Sequence, residues 1–307
     1  MKNNILALSL FWGMAVACNR IPVTNREITP IKTDIDPDAW RRVPAGNFYY
    51  GLHNKDSAVD YNFEMMITPV TNRQYAKFLK EAFAAGEIEI KADSVYAYFA
   101  GEPFYGFRHE EEITAGLHFC MPLNVSGNHI GYHNQKFTID PGFENHPVVM
   151  VSWFGARGYA RFYGYRLPTE AEWTRAARGG DQRAYPWGND FSEQRVNYIH
   201  STKSLRPILG TDVLRTTPAG FYNGKKYRKL QTLNAASPYG IYDMAGNVWQ
   251  WMADDYPRVH YKFMRGGSFL NYSHFLTTWG RNSAGPDYCS FNVGFRCVRD
   301  EKTIKVD

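Results

Sequence analysis

The sequence predicts an α+β fold with little regular secondary structure for its size. Aromatic residues make up 16% of the 307 residues, and 26 glycines and 16 prolines favour a chain rich in turns and loops. Helical periodicity of apolar residues is confined to three segments before residue 180. From residue 185 to residue 300, short strand-like runs alternate with turn clusters such as Ser237-Pro238-Tyr239-Gly240. A few helices are therefore expected to precede a large, loop-rich half.

The first 18 residues predict an export signal. Lys2 provides a positive start, an apolar stretch runs from Ile5 to Val16, and small residues lead directly into Cys18. A cysteine at the cleavage position is typical of a bacterial lipobox, so Cys18 is expected to become the N-terminus and to carry a diacylglycerol. A plain secretory signal is the alternative, and the apolar stretch is too short for a typical membrane span. We expect a protein of the cell envelope, lipid-anchored to a bacterial membrane and facing the periplasm or the cell surface.

Residues 19–38 are polar and aperiodic, which predicts a flexible stalk, and residues 39–302 are expected to form the folded domain. Residues 43–51 predict a turn and a short strand. The first helix follows a capping box formed by Thr71 and Gln74 and stops at Gly86. One face of this helix is expected to be buried, namely Tyr75, Phe78, Leu79, Ala82 and Phe83.

Two further helices follow a long aromatic segment, residues 96–137, which is expected to be irregular or short-stranded and either an insertion or part of a binding surface. The second helix begins near Ser152. Its inward residues are expected to be Trp153, Ala156, Tyr159, Ala160 and Tyr163. The third runs from Thr169 to Arg178, with a capping box between Thr169 and Glu172 and a stop at Gly179.

Charge and cysteine content argue against two classes of function. The 35 basic and 30 acidic residues are interspersed without a run of five like charges, so no nucleic-acid partner is expected. Besides Cys18, the chain has Cys120, Cys289 and Cys297, and none of them lies at the CxxC spacing of a zinc site. Cys289 and Cys297 could pair across a hairpin, but burial as free thiols is favoured.

Seven segments carry a resemblance to a known family. In chain order they are PVTNRQYAKFL, HPVVMVSWFGARGYARFYGYRLPTEAEWTRAARGG, YPWGN, TTPAGFYNG, SPYGIYDMAGNVWQW, RGGSF and NVGFRCVRD. Together they resemble the formylglycine-generating enzyme, or sulfatase-modifying factor, family over about residues 40 to 300. The resemblance implies a loop-rich, formylglycine-generating-enzyme-type variant of the C-type-lectin-like fold, in agreement with the α+β prediction.

The resemblance also implies a copper centre that this sequence lacks. Active members hold copper(I) between two cysteine thiolates that follow an RGGS segment. Arg265-Gly266-Gly267-Ser268 matches that segment, and Asn271 and Leu276 stand at the two cysteine positions. Neither side chain supplies the soft thiolate that copper(I) needs. The sequence therefore predicts that this protein binds no copper and does not generate formylglycine by the known mechanism, which leaves a different oxidoreductase activity open.

Structural calcium is a second implication of the resemblance. The family binds it through the segment YDMAGNVWQW, which corresponds to Asp243, Gly246, Val248 and Gln250. Gln250 replaces a carboxylate, which weakens the charge of the site but keeps an oxygen. A second and weaker set of calcium ligands is implied at Asn197, Tyr198, Asp212 and Leu214.

The favoured hypothesis is a non-catalytic lipoprotein that binds or assembles, for example in a gliding or secretion machinery. Its partner would be another envelope protein or an exported substrate, and the lipid would hold it to the membrane. We define the loop surface as the predicted binding residues Ser268, Asn271, Tyr272, His274, Trp279 and Arg281. Phe275 belongs to the same stretch, and it and Trp279 are expected to be buried.

Two alternatives come from other branches of the family. The first is a mononuclear iron oxidase, which needs two histidines and a carboxylate. Candidates crowd into one region, namely His109, Glu110, Glu111, Glu112, His118, His129, His133 and His146. The second is a displayed variable lipoprotein, diversified by a retroelement between RGGS and GFR. Its variable positions would be Leu270 to Phe275, Asp287, Tyr288, Ser290, Phe291 and Asn292.

Overall fold

Residues 30–103, 112–210, 215–256 and 260–301 are described by the computed structural model of the chain. The helices in these residues are α1 (Asn72–Ala84), α2 (Trp153–Phe162), α3 (Glu170–Arg178) and α4 (Thr202–Leu209). Short 3-10 helices form at Glu193–Arg195 and Ser273–Leu276. None of the helices described is long and apolar enough to cross a membrane.

The strands are short and form several small sheets. One three-stranded sheet orders β1 (Trp40–Val43), β4 (Phe63–Met66) and β16 (Val298–Asp300), and another orders β5 (Ile88–Lys91), β6 (Ser94–Phe99) and β7 (Gly116–Pro122). A four-stranded sheet has the order β14 (Arg281–Ala284), β13 (Lys262–Arg265), β12 (Trp249–Asp255) and β15 (Val293–Gly294). The remaining strands form pairs: β2 (Gly46–Tyr50) with β3 (Lys55–Val59), β8 (Ile130–His133) with β9 (Lys136–Ile139), and β10 (Lys226–Tyr227) with β11 (Leu230–Gln231).

Local capping signals place the three predicted helices correctly. Both predicted capping boxes are formed, by Thr71 with Gln74 at α1 and by Thr169 with Glu172 at α3. The predicted inward face of α1 is buried except at Phe83, which is 43% exposed. Phe83 lies one position beyond buried Ala82, in the last turn of the helix, and packs only at its edge against the β8–β9 hairpin.

One helix is missing from the sequence prediction. Helix α4 has eight residues and contains Pro207, which sequence propensity treats as a helix breaker. Its buried residues pack into a small core cluster that also contains Phe221 and Tyr222. This tertiary contact stabilises a helix that local propensity does not support.

The C-terminal part of the predicted stalk belongs to the folded domain. Thr33 is only 6% exposed, and its carbonyl oxygen accepts a hydrogen bond from Asn223 Nδ2 at 2.8 Å. The Pro37 carbonyl oxygen accepts one from Gln74 Nε2 at 3.0 Å. The prediction of a flexible stalk to residue 38 is therefore wrong from Thr33 onward, because side chains of the domain bind the backbone there. Residues 1–29, including Cys18, lie outside the described part of the chain.

Strands β12 and β13 position the segments that the sequence singles out. They pair antiparallel with Gln250 opposite Arg265, so the loop before β12 and the loop after β13 emerge side by side. A backbone hydrogen bond of 2.8 Å joins Gly246 N to the Gly266 carbonyl oxygen between the two loops. The predicted calcium loop and the RGGS segment are thereby neighbours, although the bonded Gly246 and Gly266 lie 20 positions apart in the sequence.

Candidate functional site

A buried arginine supports the RGGS loop from below. Arg265 is 1% exposed, and its guanidinium donates to the carbonyl oxygens of Trp279 at 3.0 Å and Gly280 at 3.2 Å. Its Nε lies 3.3 Å from Oε1 of Glu170, the first residue of α3. Burial lowers the pKa of Arg265, and the Glu170 carboxylate opposes that shift. The ion pair ties the loop to α3 rather than offering a charge to a ligand.

The two glycines that follow allow a tight turn. Gly266 and Gly267 have φ angles of 92° and 69°, in the region that favours glycine. A Cβ at Gly267 would lie 2.5 Å from Leu276 Cδ2 and 2.9 Å from the Phe275 carbonyl oxygen. The turn therefore presses the 3-10 helix Ser273–Leu276 directly against the loop.

Ser268 is the centre of a polar network between two loops. Its hydroxyl donates to Asn271 Oδ1 at 2.7 Å and accepts from Asn292 Nδ2 at 3.0 Å. The same Asn271 oxygen accepts the Ser268 backbone N–H at 3.0 Å. Asn271 thus closes the loop on itself, and Asn292 joins it to the segment before β15.

Leu276, predicted to stand at the second family cysteine position, lies in the core. It is fully buried and packs in a cluster with Tyr185, Val196, Tyr198 and Ala245. Asn271, predicted to stand at the first cysteine position, is half-buried with its oxygen engaged by Ser268. The two positions hold an amide and an alkyl group, so this pair offers copper(I) no soft donor.

The loop surface divides into two groups of contacts. Tyr272 lies with its ring centroid 5.5 Å from that of His200, and His274 lies 4.1 Å from Phe275. Trp279 instead packs under Arg178 of α3, and Arg281 lies over Phe263 and 3.7 Å from Glu170 Oε2. Only the first group faces solvent as an aromatic patch. Phe275 is 39% exposed, so the prediction that it is buried is wrong, because Leu276 beside it takes the core position.

Two side chains of the first predicted calcium set, Gln250 and Asp243, are engaged in hydrogen bonds within the protein. Gln250 Oε1 accepts from Trp173 Nε1 at 3.0 Å and from Arg296 Nε at 2.6 Å, and Gln250 Nε2 donates to the Asp243 carbonyl oxygen at 2.7 Å. Asp243 Oδ2 accepts the Gly220 N–H at 2.6 Å. Burial raises the pKa of the Asp243 carboxyl, and the Gly220 hydrogen bond and Arg296 oppose that shift. Gln250 in this arrangement does not fit calcium, because both donors would have to leave its oxygen.

Arg296 supplies a positive charge beside Gln250 and Asp243 of the first predicted calcium set. It is fully buried, and it donates to Met66 O at 3.1 Å, to Tyr242 O at 2.7 Å and to Asp243 O at 3.1 Å. Burial lowers its pKa to about 9, which leaves the guanidinium charged at neutral pH. Sequence reasoning did not single out Arg296, although an arginine inside the apolar run Val293–Val298 was an available signal.

In the second predicted calcium set, the Asn197 side-chain oxygen accepts no hydrogen bond from the described residues. Asn197 is 1% exposed, and its Oδ1 has no hydrogen-bond partner in the described part of the chain. Its Nδ2 donates to the Arg215 carbonyl oxygen at 2.8 Å, which fixes the amide. Adjacent Tyr198 is buried, whereas Asp212 and Leu214 lie outside the described residues. A buried oxygen without a donor suits a hard cation.

The histidines considered for iron do not converge where the structure describes them. His118 binds the Thr114 carbonyl oxygen, His129 pairs with Asp140 at 3.1 Å, and His146 binds Thr216 Oγ1 at 2.8 Å. No three His, Cys, Asp or Glu side chains of the described ranges could share a metal ion. His109, Glu110 and Glu111 lie outside those ranges.

Comparison with known proteins shows which family this chain belongs to. A family model described as a sulfatase-modifying factor enzyme 1-like domain matches residues 26–301. The inactive C-alpha-formylglycine-generating enzyme 2 of Mus musculus is 30% identical over 297 residues, which cover 89% of each chain. The formylglycine-generating enzyme of Streptomyces coelicolor is 31% identical over 264 residues, covering 78% of each chain. A serine/threonine-protein kinase pkn1 of Chlamydia caviae is 27% identical over 92% of this chain, but this chain spans only 42% of that protein.

Solved structures share the fold at low sequence identity. PvdO from Pseudomonas aeruginosa matches with a TM-score of 0.54 and 19% identity over 90% of this chain and 99% of that chain. CarF matches with a TM-score of 0.52 and 22% identity over 86% of this chain and 98% of that chain. With the family match, these likenesses confirm the predicted α+β, loop-rich fold class, the formylglycine-generating-enzyme-type variant of the C-type-lectin-like fold.

Proposed function

The chain belongs to the sulfatase-modifying factor family, and we propose that it is an exported, lipid-anchored member that binds a partner and does not generate formylglycine by the copper-thiolate route. The observation that carries this proposal is the pair of side chains at the copper positions. Leu276 fills the core, and the Asn271 oxygen is held by Ser268. The relative named as an inactive enzyme is consistent with a family that keeps its fold when the chemistry is absent.

The thiols of the described residues support the same conclusion. Burial raises the pKa of Cys120 to about 12 and raises that of Cys297 further. Burial also raises the pKa of half-buried Cys289. Copper(I) binds the thiolate, and each of these pKa shifts disfavours the thiolate at neutral pH. These cysteines are therefore poor substitutes for the missing pair.

Exposed rings near Ser268 support a role in binding. Tyr272, Phe275, Tyr288 and Phe291 are each between 39% and 56% exposed, and they come from the two loops that Ser268 and Asn292 join. Exposed aromatic groups on a rigidly supported loop are typical of interaction sites. The partner that suits this patch is another envelope protein or an exported substrate.

A photo-crosslinking amino acid at Tyr272 or Phe275 tests this role in living cells. We expect a discrete covalent adduct of higher mass at both positions, because a partner that covers the patch lies within reach of either side chain. The matched control is Leu52, which is 60% exposed and belongs to the turn between β2 and β3. Adducts only at Leu52, or oxygen consumption by the purified protein with a cysteine-containing peptide, would contradict the proposal.

We also propose that the structural calcium expected from the family binds at Asn197 rather than at Gln250. Within the described ranges no donor reaches the buried Asn197 oxygen, whereas the Gln250 oxygen already accepts two hydrogen bonds. Calcium ligation in this family is a structural role, so its effect would be on stability.

Thermal unfolding with calcium and with a chelator distinguishes the two predicted sets. The wild-type protein is expected to be stabilised by about 2.7 kcal/mol when free calcium is a hundredfold above Kd. Asn197→Ala is expected to abolish the calcium-dependent rise in Tm, and Asp243→Asn is expected to leave it unchanged. The reverse pattern would place calcium in the YDMAGNVWQW loop, and equal Tm values in calcium and chelator would show that neither set binds it.

A further inference from the structure

A pocket lies between α1, α2 and strand β6, and none of its lining residues belongs to the loop surface. Its volume is about 260 Å³. An apolar cavity of about 150 Å³ is large enough to bind benzene. This pocket therefore has room for an aromatic ring together with a small polar group.

The floor of the pocket is aromatic. Phe78, Phe99 and Phe154 are each at least 95% buried, and they line the pocket together with half-buried Phe162. Their rings are in contact, with centroids 5.2 Å apart for Phe99 and Phe154 and 5.5 Å apart for Phe78 and Phe162. Neighbouring aromatic rings fix the shape of this floor, and charged side chains line the pocket beside it, so a ligand would meet apolar and polar surface together.

Gly158 of α2 leaves the pocket open. Its backbone is helical, and a Cβ there would lie 4.0 Å from its nearest neighbours, Ala97 Cβ and Phe78 Cζ. Both of these neighbours line the pocket. Glycine is less favourable than alanine inside a helix. No crowding or backbone strain explains the glycine, and the space it leaves belongs to the pocket.

Two arginines give the pocket its charge. Arg161 forms an ion pair of 3.0 Å with Glu87 at the rim. Arg157 lies with its guanidinium carbon 4.4 Å from the Phe99 ring centroid. None of the ion pairs between described residues involves Arg157. Burial and Arg161 lower the pKa of Arg157, and Glu102 opposes this. Arg157 thus presents a partly desolvated positive charge beside an aromatic floor.

We propose that this pocket binds a small amphipathic anion, namely an aromatic or branched alkyl group that carries a carboxylate or a sulfonate. The apolar group lies on Phe78, Phe99 and Phe154, and the acid pairs with the guanidinium of Arg157. Planar guanidinium groups bind such acids through two parallel hydrogen bonds, and the bond is stronger where water is excluded. This site is independent of the partner-binding role proposed for the loop surface.

Calorimetric titration of the full-length protein with 3-phenylpropionate tests the pocket, since this compound combines one aromatic ring with a carboxylate. Saturable binding at one site is expected. 3-Phenylpropylamine, which has the same apolar group with the opposite charge, is expected not to bind. Equal affinity for the two compounds, or no binding of 3-phenylpropionate, would overturn the proposal.

Two variants locate the binding. Gly158→Leu fills the pocket from a helical position and is expected to weaken binding of 3-phenylpropionate at least about tenfold, without lowering Tm, because leucine favours helix over glycine. Arg157→Gln is expected to weaken binding by about tenfold and to remove the preference for the acid. Arg73→Gln, an exposed arginine of α1 outside the pocket, is the control and should change neither. Binding of 3-phenylpropionate that survives both pocket variants would overturn the proposal.

Discussion

Replacement of Arg296 by methionine is expected to lower the free energy of unfolding by about 3–5 kcal/mol, because four buried oxygens lose a donor and each buried group left unsatisfied costs about 1–3 kcal/mol. The guanidinium satisfies the carbonyl oxygens of Met66, Tyr242 and Asp243 and the amide oxygen of Gln250. Methionine has a similar length but no donor, so these acceptors lose their hydrogen bonds while they remain buried. The Asp243 carboxylate would also lose the positive charge that opposes its raised pKa.

Urea denaturation at neutral pH measures this effect. Arg42→Met is the control, because Arg42 is exposed and pairs only at the surface with Glu301, so no measurable change is expected. If Arg296→Met does not fold, Arg296→Lys keeps the charge with fewer donors and should show an intermediate loss. An effect of Arg296→Met as small as that of the control would show that the hydrogen bonds from Arg296 to these four oxygens contribute little to stability.

The Cys18→Ala variant is expected to carry no lipid and to move from the membrane fraction to the soluble fraction. Lipid attachment contributes about 0.8 kcal/mol for each buried CH₂, and stable anchoring usually needs two chains, as a diacylglycerol provides. The small residues that lead into Cys18 at the end of the apolar stretch are the sequence observation behind this expectation. Metabolic labelling with an alkyne fatty acid, followed by fractionation, measures both properties.

Cys289→Ala is the matched control for this experiment. Cys289 is a half-buried free thiol, so its removal alters the cysteine content without affecting the proposed lipidation site. The control should remain labelled and membrane-bound. Equal labelling of Cys18→Ala and the wild type, or an unlabelled wild type, would reject the lipoprotein proposal in favour of a plain secretory signal.

Local signals made much of the fold predictable. The capping boxes at Thr71 and Thr169 act over three residues, and glycines at fixed places end the helices, so the boundaries of α1 and α3 follow from the sequence. Helix α4 could not be predicted in this way. Its proline opposes a helix locally, and only the packing of Leu205, Ile208 and Leu209 against distant aromatic residues favours it.

The residues of the candidate site could be predicted from the sequence, but their contacts and their exposure to solvent could not. The order of the seven segments identified the family, and the identities of Asn271 and Leu276 were sufficient to predict the loss of copper ligands. The exposure of individual side chains within the loop was less predictable. Phe275 and Leu276 are adjacent and both apolar, and the sequence does not show that Leu276 is the one that turns toward the core.

The sequence by itself determined the family and the fold class, because these depend on residue identity and on short spacings. The same residue identities carry the prediction that the cysteine pair is absent. Only the tertiary structure decided how the oxygens of the two predicted calcium sets are used. The donors that fill Gln250, Trp173 and Arg296, lie 77 and 46 residues away from it along the chain. Hydrogen bonds over such separations depend on how strands and helices pack. A loop composition rich in oxygen therefore could not reveal that Trp173 and Arg296 both donate to the Gln250 oxygen, whereas no donor among the described residues reaches the Asn197 oxygen.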